Sequence, residues 1–431
     1  MRHLLLGSVL TASLLTLGCD SSKPASQSCP DWWRDGTWAE DTVSTDSTQP
    51  CRPAEQACKA EPKTQGWTLL AEGLIATEGH SARSPALRLD TCGQPVVAWA
   101  EAFKAYEWAD FDRAAVQVRR WTDGSWEPVG PQPLYTFNQA AVAVSLALDP
   151  TGRPVLAMAD GTGVPRVLAY NAPGSYSAVR LEQGLMPDNG TPVFEAKALH
   201  LEVPPNGEPR VAVHNYYYRP RLAQPPIVSN SYGVFEHRPY GWVSGPELTP
   251  ADSRTLRVDA TGRSWLVQDQ QLMRLESGAW TPVGPVLPAG QLADLQLTAE
   301  GRAVLLLFVA APSGGGRFEL VALADSGTWE ARTGPIIGLT RSTLAQAQLR
   351  LEPGTELPIV AWGEYTVSGS QDYGIRLLRW SGTEWLSLGD DSQVYSAAGR
   401  VLNVSLELDA KGQPTVAWNA NAGLWVARYR Q

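Results

Sequence analysis

The chain has 431 residues, 43% of them hydrophobic and 18% charged, with a formal net charge of −9 at pH 7. That length and hydrophobic share allow one large core or several small ones. The acidic balance, with no Lys/Arg cluster, excludes a groove that tracks nucleic-acid phosphates.

The N-terminal element reads MRHLLLGSVLTASLLTLGC. Arg2 and His3 form a short basic start, and Leu4 to Leu17 is an uncharged 14-residue stretch. It is too short to cross a bilayer as a helix but has the length of an export signal's apolar segment. The closing TLGC resembles the bacterial lipobox, with Thr16 where that motif usually has Leu and Leu15 next door. The resemblance implies a signal peptide over 1–18 and acylation (a palmitate-type anchor) of Cys19. The chain would then be exported and held by lipid alone at the bacterial cell envelope, with the outer membrane as the expected site. A plain cleaved signal is the alternative.

Residues 19–65 are rich in Ser, Thr, Pro, Gln and acids without periodicity. They read as a tether. Within it CPDWWRDGTW (29–38) reads as a small disulfide-clipped cap. Cys29, Cys51, Cys58 and Cys92 remain after Cys19, and an even number in an exported chain favours disulfides, with no metal-ligand spacing among them.

Beyond residue 66 one pattern recurs seven times: LRLDTCGQPVVAWAE (87–101), LALDPTGRPVLAMAD (146–160), LHLEVPPNGEPRVAVHN (199–215), LRVDATGRSWLVQD (256–269), LQLTAEGRAVLLLFV (295–309), LRLEPGTELPIVAWGE (349–364) and LELDAKGQPTVAWN (406–419). Two alternating runs flank a D-x-x-G-x-P turn, which is a β-hairpin. A third strand follows each hairpin, for example VQVRRW (116–121) or IRLLRW (375–380). A polar Gly turn then leads to a fourth strand that opens on Trp126, Tyr176, Trp242, Trp280, Trp329 or Trp385. Four antiparallel strands every ~50 residues is the blade of a β-propeller. The seventh unit ends at Gln431 after its third strand, and its missing fourth strand stands at the start, in TQGWTLLAEG (64–73). The expected fold is therefore all-β, a seven-bladed β-propeller over 66–431 whose N-terminal strand completes the last blade. That arrangement closes the ring with backbone hydrogen bonds and covers an otherwise open edge.

The hairpin turn and the entry to the fourth strand share one face of such a ring. Cys92 lies in the first such turn, and Cys58 lies eight residues before Gly66. A spacer of that length reaches ~25 Å when extended, so the expected pairs are Cys58–Cys92 at the seam and Cys29–Cys51 in the tether.

The opposite face carries the second-to-third and inter-blade connections. Here the sequence inserts EAFKAYEWADFDRAA (101–115), NYYYRPRLAQPPIVSNS (215–231) and EYTVSGSQDYG (364–374), read as long loops, while blade four has only QDQQ (268–271). Long loops on a rigid scaffold carry function. The ends of the second strands collect Glu101, Asp160, Asn215, Asp269, Glu364 and Asn419, expected at the mouth of the central channel. Glu101, Asp160, Asn215 and Glu364, with Tyr106, Trp108, Tyr216, Tyr217, Tyr218 and Tyr365, form the candidate ligand-binding set. The alternative is that they are solvated strand ends and rim packing.

No G-x-S-x-G, H-E-x-x-H, Walker or Rossmann signature occurs, so no catalytic residue, metal or cofactor is expected. The repeat LD-x-x-G-x-P-x-V-A-W followed by R-W-x-G-x-x-W-x-x-(V/L)-G resembles that of secreted and surface seven-bladed propeller proteins of bacteria. Its motif residues are structural and carry over no catalytic assignment. The expected function is an envelope-anchored binding or scaffold module, a monomer, that recognises a glycan or an envelope protein through the long-loop face. The alternative is a carbohydrate-active enzyme that pairs Glu101 with Glu364 or Asp160.

Overall fold

The protein is described by a computed structural model. It describes residues 65–431 apart from 75–79, 104–112, 131–133, 138–142, 160–164, 172–174, 181–192, 205–206, 222–223, 239–240, 247–254, 313–314, 340–344, 366–372, 389–392, 398–400, 402 and 421–422. Cys19, Cys29, Cys51 and Cys58, the signal segment and most of the tether lie outside the described residues.

Seven antiparallel sheets follow one another along the chain, each built on a four-stranded path. Blade one comprises Ser81–Leu89, Pro95–Phe103, Arg113–Thr122 and Ser125–Pro128. Blades two to six repeat that order, ending with Trp385–Ser387. The last sheet joins Val404–Leu408, Pro414–Ala420 and Gly423–Arg430 to the first strand of the chain, Gly66–Leu74. Its register runs from Gly66 opposite Arg430 through Trp67 opposite Tyr429 to Leu74 opposite Leu424. The ring is a seven-bladed β-propeller closed within one blade.

The hairpin turns form because the acid at their head replaces missing backbone partners. Asp149 Oδ1 accepts the N–H groups of Thr151 (2.8 Å) and Arg153 (2.9 Å). Asp90, Asp259 and Asp409 do the same in their blades. The turn then needs a left-handed residue, supplied for example by Gly152 at φ 79°. Pro95, Pro154, Pro358 and Pro414 each open a second strand, a position where the absent N–H costs no ladder bond.

The core lies between the faces of adjacent blades. Trp418 and Trp425 of blade seven pack with Ile359, Ile375 and Leu377 of blade six, and Trp99 of blade one packs with Ala417, Leu424 and Val426 of blade seven. In four blades the aromatic that opens the fourth strand latches its blade to the one before it, whereas the buried indole N–H of Trp280 makes no such bond. The indole of Trp67 donates to Leu388 O (2.7 Å), Trp126 to Leu70 O (2.9 Å), Trp329 to Pro285 O (3.0 Å) and Trp385 to Gly334 O (2.7 Å). The W-x-x-(V/L)-G half of the repeat thus supplies both the donor of one blade and the acceptor of the next. On the hairpin side, guanidinium groups span the same seams, Arg428 to Gly93 O (2.7 Å) and Arg120 to Gly152 O (2.6 Å).

Candidate functional site

The two faces of the ring differ in kind. One carries the locked hairpin turns and the short turns into the fourth strands, such as Asp123-Gly124 and Ser277-Gly278, each with both residues at positive φ. The other carries the second-to-third and inter-blade connections.

In blade three the sequence read as a loop is strand. Arg210–Arg221 and Gln224–Arg238 run 12 and 15 residues and pair in register as far as Arg221 opposite Gln224. Val193–Glu202 lies alongside, placing Tyr216, Tyr217 and Tyr218 opposite Glu195, Phe194 and Val193. Asn215 and the three tyrosines are therefore held in a three-stranded ribbon. Pro220 is absorbed by a register shift between Arg219 and Arg221, while Pro225 and Pro226 sit at the start of a strand whose far side has no strand neighbour among the described residues at that level.

Glu364 and Tyr365 end the second strand of blade six, opposite Gly374 and Tyr373. Blade four makes the expected tight turn, with Asp269 and Gln270 at φ 48° and 61°. Tyr106, Trp108 and Asp160 lie outside the described residues.

Glu101 is fully buried. Its Oε1 accepts the Trp99 indole N–H (2.9 Å), and its Oε2 lies 3.4 Å from His80 Nδ1. Asn419, also buried, accepts the Asn403 N–H (3.0 Å) and donates to Ala82 O (3.3 Å), bridging blades seven and one. Neither residue lines the central cavity. Phe308, on the second strand of blade five, does line it.

The axial cavity, ~500 Å³, is lined mostly by residues in or next to the first strands of all seven blades, among them Ser84, Ser145, His200, Gln291, Gln348 and Asn403. A belt of charge crosses it. Arg88 pairs with Glu407 (2.8 Å), Glu407 with Arg350 (2.9 Å), Arg350 with Asp294 (3.4 Å), Asp294 with Arg257 (2.9 Å) and Arg257 with Glu202 (3.2 Å). His200 Nε2 lies 2.8 Å from Glu202 and 2.6 Å from Arg257. Burial, and then Arg257, lower the His200 pKa, so the ring is neutral near pH 7. Burial works to raise the Glu202 pKa, yet its contacts with His200 and Arg257 hold it at about 2.

The same side chains satisfy the open inner edges of the blades. Leu87 N–H donates to Ser405, Leu201 to Ser145, Leu349 to Asp294 and Leu406 to Gln348, each across a seam. Arg88, Arg257 and Arg350 each donate to the carbonyl of the preceding Leu at 2.8 Å. Every belt carboxylate is engaged by an arginine, so each buried charge has its counter-ion. The belt escaped the sequence reading, although its signal was present: a charge directly after the buried Leu of the repeat in LRLD, LRVD, LRLE and LELD. Among the described residues no cluster of His, Cys, Asp and Glu is placed to hold a metal ion.

Cys92 sits in the first hairpin turn, its N–H on Asp90 Oδ1 (2.9 Å). The other three cysteines proposed for disulfides lie outside the described residues, so neither pairing is tested.

No protein-family model and no curated protein matches the chain. Solved structures match over most of it. The COPII outer coat vertex on membranes gives a TM-score of 0.51 at 10% identity, covering 82% of this chain and 85% of that one. A protein of unknown function from Dyadobacter fermentans gives 0.46 at 13% identity, covering 85% and 100%. BBS1N in complex with ARL6DN gives 0.49 at 11% identity, covering 85% and 98%. At such identities the likeness is one of fold.

Proposed function

We propose that the protein is an exported, lipid-anchored binding or scaffold module that recognises a glycan or an envelope protein through its long-connection face. One observation carries this reading: the ring is asymmetric, with two- to seven-residue turns on one face and a ribbon built from strands of 12 and 15 residues on the other. The described chain enters at Gly66, opposite Arg430, on the locked face. A tether from Cys19 then approaches from that side, and the ribbon points away from the membrane. A Cys58–Cys92 bridge would fix the tether to the same face, since Cys92 lies in a hairpin turn there. The reading assigns no catalysis, and Glu101 serves as the buried acceptor of the Trp99 indole.

The test is a screen of glycans and envelope proteins against the full chain, repeated with Tyr216, Tyr217 and Tyr218 changed to Ser and, separately, with Lys411→Ser on the locked face. The reading expects binding to fall at least ~10-fold in the first variant and to be unchanged in the second. The opposite pattern would sink it.

A further inference from the structure

The third strand of a propeller blade is protected on its outer side by the fourth. In blade one the four-residue fourth strand is too short for this, and the connection to blade two turns back so that Tyr135–Phe137 pairs with Ala114–Val116. Blades five and six do likewise with Ile336–Leu339 and Gln393–Ala397. In blade seven Gly66–Leu74 spans the third strand as far as Leu424.

Blade three departs from this plan. Its third strand, Gln224–Arg238, has 15 residues, but its fourth, Gly241–Ser244, pairs only with Phe235–Arg238. The Gly245 N–H then reaches Val234 O (2.7 Å). Among the described residues no strand pairs with the outer side of 224–233.

Chain length explains why. From the fourth-strand aromatic to the buried Leu of the next blade the separation is 20 residues for Trp126 to Leu146, 20 for Trp329 to Leu349 and 21 for Trp385 to Leu406, but 14 for Trp242 to Leu256. Six fewer residues shorten a there-and-back excursion by three residues each way, ~10 Å of strand. The longest third strand thus has the shortest covering segment.

The backbone direction along this edge follows from two bonds. Val234 O accepts from the outer side, whereas the His237 N–H donates inward to Pro209 O (3.0 Å). The register is unbroken from Glu236 opposite Arg210 to Ile227 opposite Arg219. Even positions therefore face outward, and Val228, Asn230 and Tyr232 each present an N–H and C=O on the side where no strand pairs among the described residues, while Pro226 ends the ladder.

We propose that this edge binds an extended acidic segment of a partner protein by β-strand addition, deepening the proposed face-recognition function on which it rests. The charge of the partner follows from the ribbon: over 193–200 and 211–235 its formally charged residues are Glu195, Lys197, Arg219 and Arg221, three positive against one negative. A second copy of the chain would bring two such basic ribbons together.

The test uses the full chain and a blocked 12-residue peptide alternating Glu with Val and Thr. Its partners are a Lys-for-Glu version and one N-methylated at every second residue. The expected results are binding of the Glu peptide, at least ~10-fold weaker binding of the other two, and a similar loss in Val228→Pro and Tyr232→Pro. These prolines remove only outward N–H groups, so the fold is retained. Hydrogen exchange should find the amides of Val228, Asn230 and Tyr232 open alone and protected with peptide. Protection without peptide, no binding, or indifference to N-methylation would overturn the proposal. The recognition face itself survives that failure if Tyr216–Tyr218→Ser still abolishes partner binding while the proline variants do not.

Discussion

Replacing Asp294 by Ala tests whether the charged belt holds the ring together. Asp294 is 3% exposed and joins three blades. Its Oδ1 takes the Leu295 N–H (2.8 Å) and Arg257 (2.9 Å), and its Oδ2 takes the Leu349 N–H (2.9 Å) and Arg350 (3.4 Å). Removing the carboxylate strands the Leu349 amide on an inner edge, at a cost of about 1–3 kcal/mol. The two arginines keep Glu202 and Glu407, so the charge penalty falls short of a wholly orphaned ion, and the loss should total about 3–5 kcal/mol. Asp294→Asn keeps one acceptor and should cost roughly half as much. Urea unfolding, followed by Trp fluorescence at low and high salt, measures both. The loss should persist at high salt because the site is buried, whereas Arg317→Ala, which breaks the half-exposed pair with Glu319, should cost less than ~1 kcal/mol and less still in salt. An Asp294→Ala protein within ~1 kcal/mol of the parent would refute the belt's structural role.

Gly152 has φ 79° and open space around a built Cβ, so Gly152→Ala should cost only backbone strain, about 1 kcal/mol in a denaturation midpoint. Trp67→Phe removes the indole bond to Leu388 O while retaining the ring beside Tyr429, and should cost roughly 0.5–1.5 kcal/mol; Trp67→Ala should cost more and loosen the seam, read as faster amide exchange in 424–430. Glu202 and Asp259 are depressed to about 2 from 4.5 and 3.8. Their stabilisation is therefore complete above those ordinary values and is lost as pH falls toward 2. Thermal melts from pH 7 to 2 should show that decline, and Asp259→Asn should flatten it while lowering stability at pH 7.

The ring was legible because its devices are local. Asp149, Gly152 and Pro154 specify a turn within six residues, and seven such turns count the blades. Trp67 could be assigned to the last blade because it fills the slot left empty after residue 430. The blade-three ribbon was less legible, since its prolines punctuate like a loop and only pairing with Val193–Glu202 shows that they are tolerated. Arg88, Arg257, Arg350 and Glu407 looked like the solvent side of ordinary hairpins. Closure of the ring turns that side into the axis, a long-range consequence that no window of sequence displays. The burial of Glu101 beside the Trp99 indole was not legible either, since it depends on how blade one packs against its neighbour.

The most direct test of the central claim, that recognition belongs to the long-connection face, is site-specific photo-cross-linking in bacterial cells that express the full chain. A photoreactive residue at Tyr217 on the ribbon should capture a discrete partner, and the same residue at Lys411 in a hairpin turn should not. Capture from Lys411 with none from Tyr217 would contradict the account.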